Sequence, residues 1–215
     1  MHGDAIVRVI RAYDDWIVRA YCWGRFGIVR QRFLDEIGRH LPPSGQVLDV
    51  GCGFGLFSLY YAQVVPDLTL RGLDINPRRI ALAQRAAARL GLSNVTYEWG
   101  DAATYRADDV YAGAYMLDIV HHIPEDAVRP LLEQLLKGLA SGGRLIIKDV
   151  DTRPRYKRWF TWCLDRLMDP RTPVRYWSAE EMEALLVEVG FRVRRETMAD
   201  YLPYPHVLYV CEREG

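Results

Sequence analysis

The sequence lacks an excess of charge of either sign. Its 215 residues include 28 Lys and Arg and 28 Asp and Glu, which gives a formal net charge of zero at pH 7. Proteins that bind nucleic acid through a whole face usually carry a clear surplus of Lys and Arg. The composition therefore argues against RNA or DNA as the partner, although it leaves room for a local basic patch.

Cysteine pairs with a recognisable spacing are also missing. The four cysteines are scattered along the chain, with no C-x-x-C pair and no metal-ligand spacing: Cys22, Cys52, Cys163 and Cys211. We therefore expect reduced thiols, the usual state in the cytosol, and no metal site.

A signal peptide and a long apolar run are absent as well. The N-terminal residues show no basic region followed by an apolar stretch. The longest uncharged run lies between Asp49 and Asp67. It holds three glycines and a proline, and it predicts a strand, a loop and a helix rather than a membrane span. We expect a cytoplasmic protein without a transmembrane segment.

The chain is long enough for one well-buried core and short for two, since half of its residues are hydrophobic. No internal repeat or low-complexity tract is present. We predict a single domain over residues 1–215, with an N-terminal helical cap over 1–40 and an inserted cap over 151–177. The helical spacing of apolar residues predicts two helices in the first forty residues, with a break near Gly24 and Gly27.

After this region, strand-like and helix-like segments alternate. Short apolar segments predict seven strands, at 47–50, 70–75, 95–99, 110–117, 145–150, 191–193 and 207–211. Helices are predicted between them at 56–65, 77–90, 124–140 and 179–189. A Ser141-Gly142-Gly143 loop closes the third of these helices. The alternation predicts an α/β fold, with a doubly wound and mostly parallel seven-stranded sheet.

A glycine-rich segment follows the first predicted strand. It comprises Asp49-Val50-Gly51-Cys52-Gly53-Phe54-Gly55, and its alternating glycines allow a tight turn and close approach to a ligand. The next helix directs its N-terminal amides into the same crevice. Asp74 ends the following strand, where a carboxylate can accept hydrogen bonds from both hydroxyls of a ribose. The pattern predicts a nucleoside-containing ligand at the carboxyl ends of the strands.

A nicotinamide cofactor is one alternative for this site. The dinucleotide pattern G-x-G-x-x-G requires Gly or Ala at the third position, where this chain has Leu56. Asp49 would also place a carboxylate beside a pyrophosphate. A ligand that carries an ammonium and a sulfonium suits Asp49 better, which disfavours a nicotinamide oxidoreductase.

Several segments together resemble a known family. Val47 to Gly55, V-L-D-V-G-C-G-F-G, resembles motif I of the class I S-adenosylmethionine-dependent methyltransferases. Further segments resemble the later motifs of that family, in the same order: Leu73 to Asn76, Gly100 to Ala102, Met116 to Pro124 and Leu139 to Val150. The resemblance covers about residues 40–212. It implies a Rossmann-like fold, S-adenosylmethionine as cofactor and S-adenosylhomocysteine as product.

The resemblance also implies roles for individual residues. Carboxylates would hold the methionine part, the ribose and the adenine amino group, while the glycine loop and two apolar residues would line the cofactor. The cofactor-binding residues implied in this way are Asp49, Gly51, Cys52, Gly53, Asp74, Ile75, Asp101, Ala102 and Asp118.

Catalytic candidates follow the fourth and fifth predicted strands. A general base is needed only if the acceptor loses a proton. His121 lies where the family commonly has a histidine, close to the expected methyl group, and is the first candidate. Asp149 is the second candidate, and Lys148 precedes it on the acceptor side. The alternative for His121 and His122 is that one packs under the crevice and the other begins a helix.

The predicted insertion is basic and rich in aromatic residues. Residues 151–175 contain seven Lys or Arg and three Asp, a net charge of +4. Aromatic and aliphatic residues within 155–168 recur on one helical face. Four interpretations stay open: a cap packed on the domain, a lid over a hydrophobic acceptor, a contact with nucleic acid, and a peripheral contact with the inner membrane surface. In the N-terminal cap, Arg25 or Arg30 could meet the cofactor carboxylate.

The sequence therefore predicts an enzyme that transfers a methyl group to a small-molecule or lipid-like acceptor, with O-methylation favoured. No Asn-Pro-Pro-Tyr segment follows the fourth predicted strand, which argues against amide or base N-methylation. Besides the nicotinamide enzyme, a non-catalytic module that binds S-adenosylmethionine is a further alternative. The sequence does not identify the acceptor or the oligomeric state.

Overall fold

A computed structural model of the chain describes residues 2–28, 31–150, 152, 175–197 and 206–214. These residues form one seven-stranded sheet in the order β3-β2-β1-β4-β5-β7-β6. All neighbouring strands are parallel except β7, which is antiparallel to β5 and β6. The predicted α/β fold with a mostly parallel sheet is confirmed. The strands are β1 Gly45–Val50, β2 Leu68–Asp74, β3 Val95–Trp99, β4 Tyr111–Leu117, β5 Leu139–Val150, β6 Phe191–Thr197 and β7 His206–Arg213.

The central strands are buried on both faces, as their continuous apolar sequences predict. Successive side chains of a strand point to opposite faces. Val47 of β1 therefore joins one core cluster, and Leu48 joins the other. Tyr115 and Met116 of β4 divide between the same two clusters. The two cores fix the strand register and thereby align the carboxyl ends of β1, β4 and β5.

Seven α-helices flank the sheet within the described residues. Side chains cap several of them: Asn76 accepts hydrogen bonds from the N–H groups of Arg78 and Arg79, and Ser178 forms a capping box with Glu181. The helices are α1 His2–Ala12, α2 Trp16–Ile28, α3 Gln31–Gly38, α4 Leu56–Val64, α5 Pro77–Leu90, α6 Glu125–Gly138 and α7 Ala179–Val189.

The N-terminal region differs from the prediction. It contains three helices instead of two, and α2 continues through Gly24 and Gly27. The break comes earlier, because the Asp15 carboxylate accepts a hydrogen bond from the N–H of Ile17 at 2.9 Å and starts a new helix there. Burial of one face of α2 then outweighs the low helix propensity of the two glycines.

The third predicted helix and the fifth predicted strand also have different bounds. The helix was predicted to reach residue 140, but α6 ends at Gly138 and β5 already begins at Leu139. The predicted loop at residues 141–143 lies inside β5. Leu139 pairs with Tyr111, and the register shifts before Gly113 pairs with Arg144. The glycines therefore occupy an irregular part of a paired strand.

The predicted insertion is described only at residues 152 and 175–177. The cap helix predicted over 155–168, and its interpretation as a lid or a membrane contact, lie outside the described residues. None of the helices that the structure describes is long and apolar enough to span a membrane.

Candidate active site

The strand order reverses between β1 and β4, which are neighbours in the sheet although β2 follows β1 in the chain. In open α/β sheets, ligands bind at such a switch point, outside the carboxyl ends of the strands. The glycine loop after β1 and the segments after β2, β4 and β5 meet here.

The glycine loop has the backbone that its sequence requires. Gly51 has φ of +74° and Gly53 has φ of +57°, values that non-glycine residues rarely adopt. A Cβ at Gly51 would lie 2.5 Å from Cγ1 of Ile119, whereas a Cβ at Gly53 would meet no atom within 4 Å. Packing within the protein therefore requires glycine at 51. At Gly53 the loop faces open space of the kind that a cofactor can fill.

Asp49 lies beneath this loop and is 3% exposed. Burial raises the pKa of its carboxyl to about 7. Among the described residues, its Oδ2 atom has no hydrogen-bond partner. A buried carboxylate oxygen without a donor favours a cationic ligand group. The ammonium of S-adenosylmethionine fits this requirement.

Asp74 connects the end of β2 to the glycine loop. Its Oδ2 accepts a hydrogen bond from the N–H of Gly53 at 2.9 Å, and its Oδ1 accepts one from the N–H of Asn76 at 2.8 Å. Carboxylate oxygens can accept more than one hydrogen bond. The two backbone bonds fix the orientation of the carboxylate and leave it able to accept from a ribose diol.

Exposed apolar side chains lie beside Asp74. Ile75, the residue predicted to pack on adenine, is 59% exposed, and Trp99 at the end of β3 is 66% exposed. The indole N–H of Trp99 donates to the carbonyl of Ile75 at 2.9 Å. These exposed surfaces suit a stacked purine. Trp99 was not among the predicted site residues, since a single tryptophan at a strand end carries no motif.

Asp101 and Ala102 follow β3, as the resemblance implies. Asp101 accepts a hydrogen bond from the N–H of Ala103 at 2.9 Å, which starts a short 3-10 helix. Ala102 is partly buried against one of the core clusters. Asp101 therefore has a local capping role in addition to the adenine contact predicted for it.

Asp118, which follows β4, pairs with two cationic side chains. Its carboxylate pairs with the guanidinium of Arg25 from α2 and with the ammonium of Lys148 from β5. Asp118 has φ of +57° and, among the described residues, is the only non-glycine residue with positive φ. Burial lowers the pKa of Lys148, and the charge of Asp118 opposes this effect. The carboxylate predicted to contact the cofactor thus joins three elements, an arrangement that the sequence did not reveal.

His121 and Asp149, the two predicted bases, form one pair. Nδ1 of the His121 ring is hydrogen-bonded to Oδ1 of Asp149. The second oxygen of Asp149 accepts the backbone N–H of His121 at 3.1 Å. The ring of Tyr176 stacks on His121 with centroids 5.5 Å apart, and the N–H of Arg175 donates to the His121 carbonyl at 3.0 Å. The imidazole is therefore held in one orientation.

The N-terminal helices lie against the glycine loop. The hydroxyl of Tyr13 donates to the carbonyl of Phe54 at 2.7 Å. The rings of Tyr21 and Phe54 are 5.6 Å apart. Trp16 and Trp23 of the same region are largely exposed. Within the predicted N-terminal cap, Tyr13 and Tyr21 thus contact the glycine loop and Arg25 reaches Asp118.

Comparison with known proteins identifies the family of this architecture. A family model described as a methyltransferase domain matches residues 25–196. Ribosomal RNA small subunit methyltransferase G of Deinococcus radiodurans is 32% identical over 124 residues, which cover 56% of this chain and 48% of that protein. Demethylspheroidene O-methyltransferase of Rhodobacter capsulatus is 31% identical over 154 residues, which cover 68% of this chain and 36% of that protein.

Solved structures share the fold. Magnesium protoporphyrin IX methyltransferase from Synechocystis, with bound SAH, superposes with a TM-score of 0.64 and 22% sequence identity. The match covers 85% of this chain and 80% of that one. The chain spans about half or less of the length of the two curated relatives described above.

The family model covers most of the chain, and the glycine loop, the Asp74 carboxylate bonded to it and the buried Asp49 carboxylate lie at the same switch point of the sheet. The chain belongs to the class I S-adenosylmethionine-dependent methyltransferases.

Proposed function

We propose that this methyltransferase methylates a hydroxyl group of a small, largely apolar acceptor and that His121 removes the hydroxyl proton. The observation that carries the proposal is the buried pair of His121 and Asp149. S-Adenosylmethionine supplies the methyl group as an electrophile on a sulfonium. A hydroxyl is a weak nucleophile until its proton leaves, so a base in contact with it accelerates the transfer.

The pair has the geometry of an oriented base. Asp149 engages Nδ1 of His121, so the tautomer with a proton on Nδ1 is favoured and Nε2 becomes the nitrogen that accepts a proton. Once protonated, the imidazolium is stabilised by the carboxylate, as in other histidine–carboxylate pairs. His121 is 3% exposed. Exclusion of water keeps this interaction strong.

The predicted cofactor-binding residues also support methyl transfer next to His121. Asp49 and Asp74 would bind the ammonium and the ribose, respectively, and Asp101 with Ile75 would bind the adenine. Ligands held in this order along the strand ends would place the reacting sulfonium beside the residues after β4. Positioning of this kind supplies a large part of the acceleration in methyl transfer.

The acceptor class is inferred from chemistry and relatives. The balanced net charge disfavours a polyanion, because RNA-binding proteins depend on surplus positive charge. Among the relatives, the Rhodobacter protein is named as an O-methyltransferase of demethylspheroidene, and the Deinococcus protein is named for ribosomal RNA. A base-assisted O-methylation agrees with the activity that the name of the Rhodobacter protein gives. We therefore favour an apolar hydroxyl compound.

The test uses a series of 4-alkylphenols of increasing chain length, with radiolabelled S-adenosylmethionine as donor. We expect methyl transfer to the phenolic oxygen. His121→Ala should lower kcat by about a hundredfold, with S-adenosylhomocysteine affinity within about twofold of the wild type. The rate that is lost should return at high pH, where the phenol ionises without a base.

The neighbouring histidine provides a matched control. His122 lies 4.2 Å from His121, ring centroid to centroid, whereas the hydrogen bonds to the Asp149 carboxylate described above come from His121. His122→Ala should leave kcat within a few fold. Equal losses in the two variants, or a His121→Ala defect confined to cofactor affinity, would show that His121 is a wall of the pocket. Transfer to purified ribosomal RNA but to no phenol would refute the acceptor class.

A further inference from the structure

Helix α2 is apolar on the side that faces away from the protein. Its inner face is formed by Val18, Cys22 and Phe26, which are all less than 10% exposed. On the opposite side, Trp16 is 75% exposed and Trp23 is 57% exposed. Exposed apolar side chains grouped on one side of a helix often mark a contact surface.

The exposed aromatic residues are regularly placed. Trp16 and Trp23 are seven residues apart, which corresponds to about two turns and about 10 Å along the helix axis, so both project to the same side. Ala20 lies between them and Gly24 directly follows Trp23, and both are exposed. Ile17 extends the apolar surface at 59% exposure. The five residues Trp16, Ile17, Ala20, Trp23 and Gly24 are called the outer face of α2 below.

Positive charge predominates around this face. The sequence from Trp16 to Leu34 contains four arginines and no acidic residue. Arg19 and Arg32 are exposed, Nε of Arg19 donates a hydrogen bond to the Tyr13 carbonyl, and Arg25 is paired with Asp118. The two aspartates that precede α2 are already paired, Asp14 with Arg89 and Asp15 with Arg78. The surroundings of the outer face are therefore complementary to a negatively charged surface.

We propose that the outer face of α2 docks on an anionic lipid bilayer. Tryptophan is favoured at the boundary between lipid headgroups and acyl chains, because its ring is apolar and its N–H can still find a hydrogen-bond partner. A helix lying in the plane of the interface would insert both tryptophans, while Arg19 and Arg32 meet the headgroup phosphates. This binding does not depend on the identity of the methyl acceptor.

A second copy of the chain is the main competing occupant. The small residues Ala20 and Gly24 would allow another helix to approach closely. They do not account for the surplus of positive charge, because two copies that meet through α2 would bring their arginines together. The charge pattern therefore favours lipid over self-association.

The experiment measures sedimentation of the full chain with vesicles. Phosphatidylcholine vesicles are compared with vesicles that contain phosphatidylglycerol, at low and high salt. We expect binding to the anionic vesicles that weakens strongly at high salt, because the Debye length falls to about 3 Å at 1 M. The double variant Trp16→Ser/Trp23→Ser should lower the partition coefficient at least about tenfold. Arg19→Glu should lower binding to anionic vesicles without changing binding to neutral ones.

A matched control tests whether any exposed apolar residue would serve. Val187 on α7 is 56% exposed, and Val187→Ser should bind vesicles like the wild type. Because the substituted tryptophans face outward, the double variant should keep the wild-type melting temperature. Absence of vesicle binding, or binding that the double variant retains in full, would overturn the proposal. A dimer in light scattering that the double variant dissociates, without vesicle binding, would assign the outer face to a second copy.

Discussion

Burial of Asp49 has consequences at the scale of one residue. Its pKa is raised to about 7 by burial, whereas an aspartate in an unfolded chain has a pKa of about 3.9. The folded protein therefore binds this proton more tightly than the unfolded chain does. The stabilisation is complete below about pH 4, is lost as the pH rises towards about 7, and is absent above that. A cationic ligand group beside Asp49 would favour the ionised form of its carboxyl and so oppose the rise in its pKa.

We expect Asp49→Asn to remove this pH dependence from the ligand-free protein. The neutral amide has nearly the same shape and cannot ionise. At pH 8 the variant should exceed the wild type in free energy of unfolding, by up to a few kcal/mol for a shift of about three units. At pH 4 the difference should be much smaller. Urea unfolding of both proteins at the two pH values checks this expectation, and parallel pH profiles would contradict it.

The same variant should bind S-adenosylhomocysteine less tightly at pH 8, since it has lost the carboxylate for the ammonium. The combination of higher stability and weaker binding separates a ligand-binding carboxylate from a purely structural one. If Asp49 had a purely structural role, the substitution would lower both the stability and the affinity for S-adenosylhomocysteine.

At the scale of elements, the sequence predicted the strands and helices after residue 44 better than the N-terminal helices. The largest difference after residue 44 is that β5 begins at Leu139 and not at 145. The short apolar strands bounded by glycine and proline were found in the predicted order, because burial on both faces leaves little choice of residue. The break before α2 was missed because apolar residues continue at helical spacing across Tyr13 and Trp16. Only the side-chain cap from Asp15 shows where the new helix begins.

Contacts between elements were the harder part. His121 and Asp149 were each predicted as candidate bases, and the parallel pairing of β4 and β5 explains why they meet. The bridge from Arg25 through Asp118 to Lys148 depends on how α2 crosses the strand ends. Sequence spacing contains no signal for that crossing. Tyr176, stacked on His121, was missed for the same reason.

The ion pair of Arg25 with Asp118 leads to a prediction about the local stability of α2. Arg25→Met removes the cation of α2 that pairs with Asp118 while keeping an apolar stem against Phe57. Lys148 still neutralises Asp118, so the fold should persist. We expect hydrogen exchange of the amides in α2 to accelerate by about tenfold, which corresponds to about 1.4 kcal/mol of lost local stability. Amides of α5 should exchange at the wild-type rate.

The control for this prediction is Arg129→Met on α6, which breaks an exposed ion pair with Glu188. Exposed pairs contribute little, so α2 should exchange as in the wild type. Unchanged exchange of α2 in Arg25→Met would mean that apolar packing alone holds the helix. Faster exchange across the whole sheet would mean that the substitution acts on global stability.

At the scale of the whole molecule, the crevice is formed by parts of the chain that are far apart in sequence. α2 near the N-terminus, the loops after β1 and β2, and the ends of β4 and β5 all face it. The fold class and the cofactor could be predicted because a single glycine loop and one carboxylate define most of the cofactor side. The predicted acceptor side could not, since residues such as His121, Asp149 and Tyr176 come together only in the folded protein.

A ligand that binds across these elements should stabilise the protein as a unit. Because S-adenosylhomocysteine binds the folded state alone, a concentration of 100 times its Kd adds about 2.7 kcal/mol to the free energy of unfolding. For a chain of this size, about 1 kcal/mol raises Tm by about 2–4 °C. We therefore expect an increase of about 5–10 °C in a thermal melt with S-adenosylhomocysteine.

NAD⁺ at the same concentration should leave Tm unchanged, because Leu56 and the buried Asp49 do not suit a pyrophosphate. Asp74→Ala should reduce the increase, since the ribose would lose its carboxylate partner. A larger increase with NAD⁺ than with S-adenosylhomocysteine would reverse the assignment of the crevice, and an equal increase in Asp74→Ala would remove that residue from the cofactor site.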